Sequence, residues 1–362
     1  MIRRLRQPFA KRNGYAPLNI IVVGAGIAGL STAWSLTKRG HEVTLIEQVS
    51  IPNPLAASGD HHRIIRRAYP SGTGYGRAIT EAYEAWDEMW ADLGESHLDP
   101  RGFLCVSREA GDEAEDYLEG LKAGGFRFEM FSPEGGALHC RRIASGLAAW
   151  LRTHGATVLE NTRVSAVDPV AGTVTTGAGE KLSADWVVVT AGAWVTKLFP
   201  DLVSDLKTYR TAVVYLKPPA DLKEEWRTAP VILDVGGQTD GYIIPPSGEG
   251  GLKFGSGLHK FASADADARR VPEPGEGDAI RDLFSPPMVR LDEYRVENVV
   301  TCAYTFTADE RFFADERGKC LIVSACSGHG YKFGAAVGRR VATHVDRPDL
   351  PGLLAWLRAE AG

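Results

Sequence analysis

The sequence predicts an α/β fold: a Rossmann-type dinucleotide-binding domain built from separated segments, with a second domain formed around an antiparallel sheet. Three observations predict it. Residues 20–47, IIVVGAGIAGLSTAWSLTKRGHEVTLIE, read as strand, glycine turn, helix and second strand. Further on, DWVVVTAGAW at 185–194 is an apolar strand ending in a small-residue turn, the pattern by which a chain returns to a sheet beneath a nucleotide. Between that strand and the C-terminal part, short β segments at 211–216, 231–233, 242–244 and 252–254, with turns between them, describe an antiparallel sheet inserted into the first domain.

Ile20 to Val23 are all β-branched, as in a parallel strand buried on both faces. Gly24 allows the tight turn, Gly26 lets backbone approach a pyrophosphate, and Gly29 lets helix and strand pack closely, with Ile27 and Ala28 opening the helix. The helix N-terminus offers unpaired N–H groups and the positive end of its dipole to a diphosphate. Ala33, Leu36 and Gly40 fit the helix and its stop, and 43–46 is a second strand ending in Glu47. That carboxylate is suited to accept hydrogen bonds from ribose hydroxyls and to repel a 2′-phosphate. Glycine triplets also occur in ordinary turns; the strand before, the helix after and the acid make dinucleotide binding the reading, with FAD and NAD both open at this point.

At 362 residues the chain is long enough for one large or two intertwined domains. Hydrophobic and charged contents of 44% and 24% are those of an ordinary soluble globular protein. A net charge of −5 supplies no field for nucleic acid or an anionic membrane. No apolar run reaches the roughly 18 residues that cross a bilayer. Arg3, Arg4, Arg6, Lys11 and Arg12 give a basic start, read as a solvated tail over 1–18 because no cleavable apolar segment precedes the first strand. Five cysteines, an odd number without a CxxC pair, point to a reducing compartment and a cytoplasmic protein. Zinc-type ligand spacing is absent, and the adjacent pair His61–His62 suits one metal poorly.

After Glu47 a Pro/Gly/Ser-rich connection, 49–59, leads to DHHRIIRRAY at 60–69. Ile64 and Ile65 would bury this segment, and its buried arginines then require anionic partners such as cofactor phosphates or a substrate carboxylate. Ile79, Tyr83, Trp86, Met89 and Trp90 recur at helical spacing across 76–94. Further helices are expected over 111–124, 138–154, 278–284 and 286–294, a strand at 158–159, a hairpin across 164–174, and a charged loop at 262–277. Residues 299–304 and 319–324 are the last strands; SGHGYKFG at 327–334 then opens a final helix, 335–344, with glycines, a histidine and a lysine where backbone can approach a cofactor.

GAGIAGL, RIIRRAY at 63–69, GALHCRRI with GATVLENTRV, VVVTAGAWV, GGLKFG, CAYTFTADERFF and SGHGYKF occur in this order over nearly the whole chain after the basic tail. Together they make the sequence resemble the monomeric sarcosine oxidase branch of the D-amino acid oxidase flavoprotein superfamily. The resemblance implies a Rossmann-type FAD domain from 19–72, 136–212 and 298–345, an α+β substrate domain from 73–135 and 213–297, and a C-terminal helix in 346–362. It implies an FAD-dependent oxidase of a secondary or primary α-amino acid, giving an imine with O2 reduced to H2O2. The expected partners are the amine and O2, without nucleic acid or membrane, and the protein is expected as a monomer or weak homodimer. An amine dehydrogenase using another acceptor, or an oxidase of a larger amine without a carboxylate, stays open beside it.

Residue by residue, Cys302 matches the cysteine joined covalently to the flavin ring; a thiolate beside the electron-poor ring methyl is the nucleophile that bond requires. Arg66 and Lys332 match the pair that binds the substrate carboxylate, a bidentate fork and a point charge. Lys253 matches the lysine that promotes reaction of reduced flavin with oxygen, where a fixed cation favours superoxide formation. Arg63 matches the arginine close to the same flavin face, and Tyr242 and Tyr304 match tyrosines of the substrate cavity. Val164, Ala191, Gly192, Gly328, His329 and Gly330 join the glycine loop and Glu47 as expected FAD contacts. Two departures stand out. The family places histidine-glycine-aspartate-threonine before the first arginine, whereas this chain has Gly59-Asp60-His61-His62. Four residues after the lysine the family has a histidine, whereas this chain has Gly257; His259 reaches the site only if the strand end is rearranged. FAD binding and oxidation chemistry therefore transfer further than the substrate does.

Overall fold

The computed structural model describes residues 16–70, 72–106, 113–123, 131–233, 240–285, 288–324 and 326–360. The five basic residues of the expected tail lie outside them. A six-stranded sheet runs in the order Phe313–Arg317, Cys320–Ser324, Trp186–Val189, Asn19–Val23, Glu42–Ile46, Thr157–Leu159. All its neighbours are parallel except the antiparallel pair at the Phe313 edge. Ile20 and Val22 pack into one core with the helices Ile27–Lys38 and Gly334–Asp346, while Ile21 and Val23 pack into another on the opposite face. Both faces are covered, which is why this strand reads as an unbroken apolar run. The two helices touch backbone to backbone: a Cβ on Gly338 would lie 2.3 Å from the Ser31 carbonyl carbon.

A seven-stranded sheet has the order Arg295–Phe306, Lys207–Lys217, Leu252–Ala262, Gly241–Ile244, Val231–Leu233, Phe103–Cys105, Phe131–Ser132. A small sheet of Leu98–Asp99, Gly135–His139 and His62–Arg66 lies between the two large ones in the chain's path. Its pairing corrects the expected helix 138–154. Arg63 and Ile64 pair with Leu138 and Ala137, so the strand continues to His139 and the helix begins at Cys140, ending at Thr153. The expected hairpin gains a third strand, Lys181–Ser183, and the edge strand Phe313–Arg317 carried no sequence signal of its own.

The helix Tyr75–Leu93 stops at Gly94, whose φ of 81° is the left-handed cap that glycine adopts without strain. Glu113–Ala123 is helical within the expected 111–124, whose ends lie outside the described residues. Of the expected helix 286–294 only a short 3₁₀ turn, Leu291–Glu293, is present, residues 286–287 lying outside the description. The C-terminal helix is Leu350–Leu357, capped by Asp349 Oδ1 accepting from the Gly352 N–H at 3.0 Å. Among the described residues no helix is long and apolar enough to cross a membrane.

Candidate active site

A cleft opens along the C-terminal ends of Asn19–Val23, Trp186–Val189 and Cys320–Ser324, where an open parallel sheet receives its ligand. Gly24, Gly26, Ile27, Ala28, Val164, Ala191 and Gly192 line one part of it; Arg63, Tyr304, Gly328 and Gly330 line the rest. Gly24 has φ 100°, and a Cβ there would meet the Thr190 carbonyl oxygen at 2.6 Å. A Cβ on Gly29 would sit 1.8 Å from the Gly24 carbonyl oxygen, so any side chain would push the helix off the loop. A Cβ on Gly26 would have only Ser58 Oγ nearby, at 3.4 Å, which leaves the loop's outer side open to the cleft. Glu47 is buried at the base of the loop. Its Oε2 accepts from the Ala25 N–H at 2.7 Å and its Oε1 from Asn53 Nδ2 at 3.0 Å. Burial raises its pKa, the donors opposing. The acid expected to bind ribose thus also holds the glycine loop in place. Ser58 does the same from the other side, accepting from the Ile27 N–H at 3.0 Å. Asn53 and Ser58 lie in the connection after Glu47 and carried no motif. A glycine cradle with an acid at its base, in a cleft lined as far as Tyr304, suits a dinucleotide such as FAD.

Behind Arg63, which lines the cleft, Lys253 is fully buried and does not itself line it. Its Nζ donates to Asp60 Oδ2 at 2.7 Å and to the His62 carbonyl at 3.0 Å, and lies 5.8 Å from the Tyr242 ring centroid. Arg63 donates to the same Asp60 oxygen at 2.5 Å, to the Ala57 carbonyl at 2.6 Å and to Tyr304 OH at 3.2 Å. Cys302, 1% exposed, has its Sγ 3.8 Å from the Arg63 guanidinium and 3.5 Å from Tyr304 OH. Burial pushes the Lys253 ammonium below its usual range and Arg63 adds to that, while Asp60 opposes. Burial alone would raise Asp60, but Lys253 and Arg63 together hold its carboxyl well below the usual range. Burial is also what raises the Tyr242 and Tyr304 hydroxyls. His62 is pushed down to about 3, by burial first and Lys253 second; its ring stacks on Tyr215 and is neutral. Asp60 is the anion that the buried Arg63 requires, supplied by the chain itself rather than by a ligand.

Arg66, on the same strand, forms a second group. It donates to the Ala68 carbonyl and, at 3.1 Å, to Tyr117 OH, with its guanidinium over the rings of Tyr69 and Tyr117 at 4.7 and 4.4 Å. Lys332 is buried and donates to Tyr69 OH at 3.1 Å and to the His329 carbonyl at 3.2 Å. Burial, then Arg66, pushes it well below the usual lysine range. Tyr69 therefore holds both cations, one by its face and one by its hydroxyl; neither it nor Tyr117 was singled out from the sequence. The His329 side chain turns into an aromatic cluster with Tyr75 and Phe312, and burial pushes it down to about 3. The flanking glycines, rather than this imidazole, face the cleft. Arg67 pairs with Glu134.

The expectation for His259 needs correction. Thr211 pairs with Lys260 while Val213 pairs with Gly255, so the strand end is irregular, but His259 Nε2 lies 2.7 Å from Glu276 Oε1. Glu276 is itself gripped by the buried Arg210. This ion pair, not the group around Lys253, engages the histidine. The space beside Gly257 is filled by Asp240: a Cβ on that glycine would fall 1.7 Å from Asp240 Oδ2.

The chain is 27% identical over 356 residues to the monomeric sarcosine oxidase of Bacillus sp. (strain B-0618), covering 88% of this chain and 90% of that protein. It is 24% identical over 365 residues to N-methyl-L-tryptophan oxidase of Yersinia pestis (strain Pestoides F), covering 91% and 95%. The fold matches the crystal structure of L-proline dehydrogenase from P. horikoshii with a TM-score of 0.78 at 19% identity, over 95% of this chain and 97% of that one. The fructosamine oxidase Amadoriase II from Aspergillus fumigatus matches with a TM-score of 0.75 at 19% identity, over 94% and 89%. The family model for the FAD dependent oxidoreductases (DAO) matches residues 19–344, and the chain belongs to that family.

Proposed function

We propose that this protein is an FAD-dependent oxidase of the C–N bond of an α-amino acid or N-alkyl amino acid. The observation that carries the reading is the strand His62–Arg66, which supplies Arg63 to the Lys253 group and Arg66 to the Lys332 group. Three residues of strand, about 10 Å of backbone, separate the two cationic groups. When bound, FAD would supply the two-electron acceptor for the substrate's C–H hydrogen and the route of those electrons to O2, so that loss of the C–H hydride and the N–H proton would give imine and H2O2. Arg66 and Lys332 hold the carboxylate, Tyr242 and Tyr304 wall the space between, and Lys253 sets a positive charge beside the place where oxygen is reduced. Glu47, Gly26 and the N-terminus of Ile27–Lys38 hold the dinucleotide.

Anaerobic mixing with N-methyl, cyclic secondary and primary α-amino acids, and with amines lacking a carboxylate, tests this through the flavin absorbance. Bleaching by the carboxylate-bearing amines alone is expected, with colour returning in air. Bleaching only by carboxylate-free amines removes the anchor from the reading; colour that returns only with an artificial acceptor makes the protein a dehydrogenase.

Cys302, buried beside Arg63 and Tyr304, supports a thioether to the flavin. An acid-precipitated pellet of the wild type is then expected to stay yellow and that of Cys302→Ser to be colourless; a colourless wild-type pellet ends the covalent reading. Cys140, Cys302, Cys320 and Cys326 are free thiols, which supports a reducing, cytoplasmic setting.

A further inference from the structure

We propose that Asp60 is a positioning residue for Lys253: its carboxylate fixes the ammonium beside Arg63 and supplies its counter-charge, so that reoxidation of the reduced enzyme by O2 depends on it. The proposal rests on the reading of Lys253 given above and names what that reading leaves unexplained, namely how a lysine with no solvent contact stays charged next to an arginine.

Asp60 is 2% exposed and lies behind both cations. Its Oδ2 takes Lys253 at 2.7 Å and Arg63 at 2.5 Å; its Oδ1 takes Tyr215 OH at 2.5 Å and the His61 N–H at 2.8 Å. With these four donors the carboxylate is held from every side, and it in turn holds the ammonium in one place. Of the three N–H donors of Lys253, the described residues engage one through Asp60 and one through the His62 carbonyl. Among the described residues, the remaining titratable groups in contact with Lys253 and Arg63 supply no second anion. His62, on the same strand as Arg63, is neutral; Tyr242 on Gly241–Ile244 and Tyr215 on Lys207–Lys217 are held protonated chiefly by burial. Cys140, on the helix Cys140–Thr153, is pushed up to about 11, also by burial. Tyr304 and Cys302, from Arg295–Phe306, approach Arg63. A buried ammonium beside a guanidinium is strongly disfavoured without a paired charge, and Asp60 is the carboxylate in contact with both. The order Gly59-Asp60-His61-His62, a departure at the level of sequence, thereby acquires a structural reason: it delivers an acid beneath the lysine.

The test uses holoenzyme reduced photochemically, so that no substrate enters, and follows reoxidation by O2 across pH. Asp60→Asn keeps the shape and removes the charge. Without that charge the Lys253 ammonium gives up its proton at lower pH, so reoxidation at neutral pH is expected to fall at least tenfold and to recover as pH is lowered. Asp60→Asn added to Lys253→Met is expected to slow reoxidation no further than Lys253→Met alone. Thermal unfolding of the four proteins gives a readout apart from turnover: Asp60→Asn is expected to lower Tm less in the Lys253→Met background, where no ammonium is left unpaired. A wild-type rate and pH profile in Asp60→Asn overturns the proposal, as does an equal slowing in both backgrounds. Wild-type reoxidation by Lys253→Met instead removes the reading of Lys253 on which it rests. If Asp60→Asn yields no folded holoenzyme, Asp60→Glu decides: the longer carboxylate keeps the charge but displaces the ammonium, so slower reoxidation with an unmoved pH midpoint is expected, and an unchanged rate overturns the proposal.

Discussion

Replacing Lys253 by methionine is expected to slow the reaction of the reduced enzyme with O2 by a factor on the order of 10²–10³, the cost of removing one preorganised charge-stabilising group. Anaerobic bleaching by substrate is expected to change far less. The first electron delivered to O2 makes an anion, and a charge fixed in a buried, low-dielectric place stabilises it without reorganisation. Methionine preserves most of the volume of a side chain that is 0% exposed. Asp60 keeps Arg63 at 2.5 Å as partner, so the carboxylate is not left unpaired. The fold therefore has reason to survive a substitution that removes the charge. Stopped-flow measurement of the two half-reactions separates them; unchanged reoxidation with slowed bleaching would assign Lys253 to the substrate step.

Truncating Arg66 to alanine is expected to weaken binding of carboxylate-bearing substrates by about 2–5 kcal/mol, roughly 30- to 5,000-fold in apparent affinity. Carboxylate-free amines, if turned over at all, are expected to lose much less. Arg66→Lys does not restore the wild type, because a point charge replaces a planar fork whose faces lie on Tyr69 and Tyr117. The same pocket makes binding pH-dependent. Burial, with Arg66 close by, holds Lys332 well below the ordinary lysine range. An incoming carboxylate favours the charged form, so at pH above the lowered pKa binding takes up a proton. Affinity for a carboxylate inhibitor is accordingly expected to fall as pH rises through the lowered pKa of Lys332. Calorimetry in buffers of different ionisation enthalpy reads the proton uptake directly; binding with no linked proton would remove Lys332 from the anchor.

Much of the nucleotide half was legible in the chain because its requirements are local. Gly24 needs a positive φ within one turn, and Gly29 must clear a carbonyl five residues back. The acid sits at the end of the next strand. Buried parallel strands announce themselves as apolar runs, since both faces are covered. The substrate half was legible as single residues but not as a site. The partner of Lys253 lies 193 residues away in the chain, and that of Lys332 lies 263 residues away. They meet only in the folded chain, where Tyr215 is in register with Lys253, the strand His62–Arg66 packs on the turn Tyr331–Phe333, and that strand is held by its antiparallel pairing with Gly135–His139. The same pairing decided that residues 138 and 139 are strand although helical spacing follows them. His259 shows the limit from the other side. Its place two residues beyond the family's histidine position left an active-site role open only if the strand end is rearranged, yet a buried guanidinium and carboxylate elsewhere in the fold set its partner. Sequence determined the glycine loop, the apolar strands and the types of charge available. Tertiary structure alone decided which charges meet, because a buried charge pairs with whatever the sheet register places beside it, and register links residues that no local spacing relates.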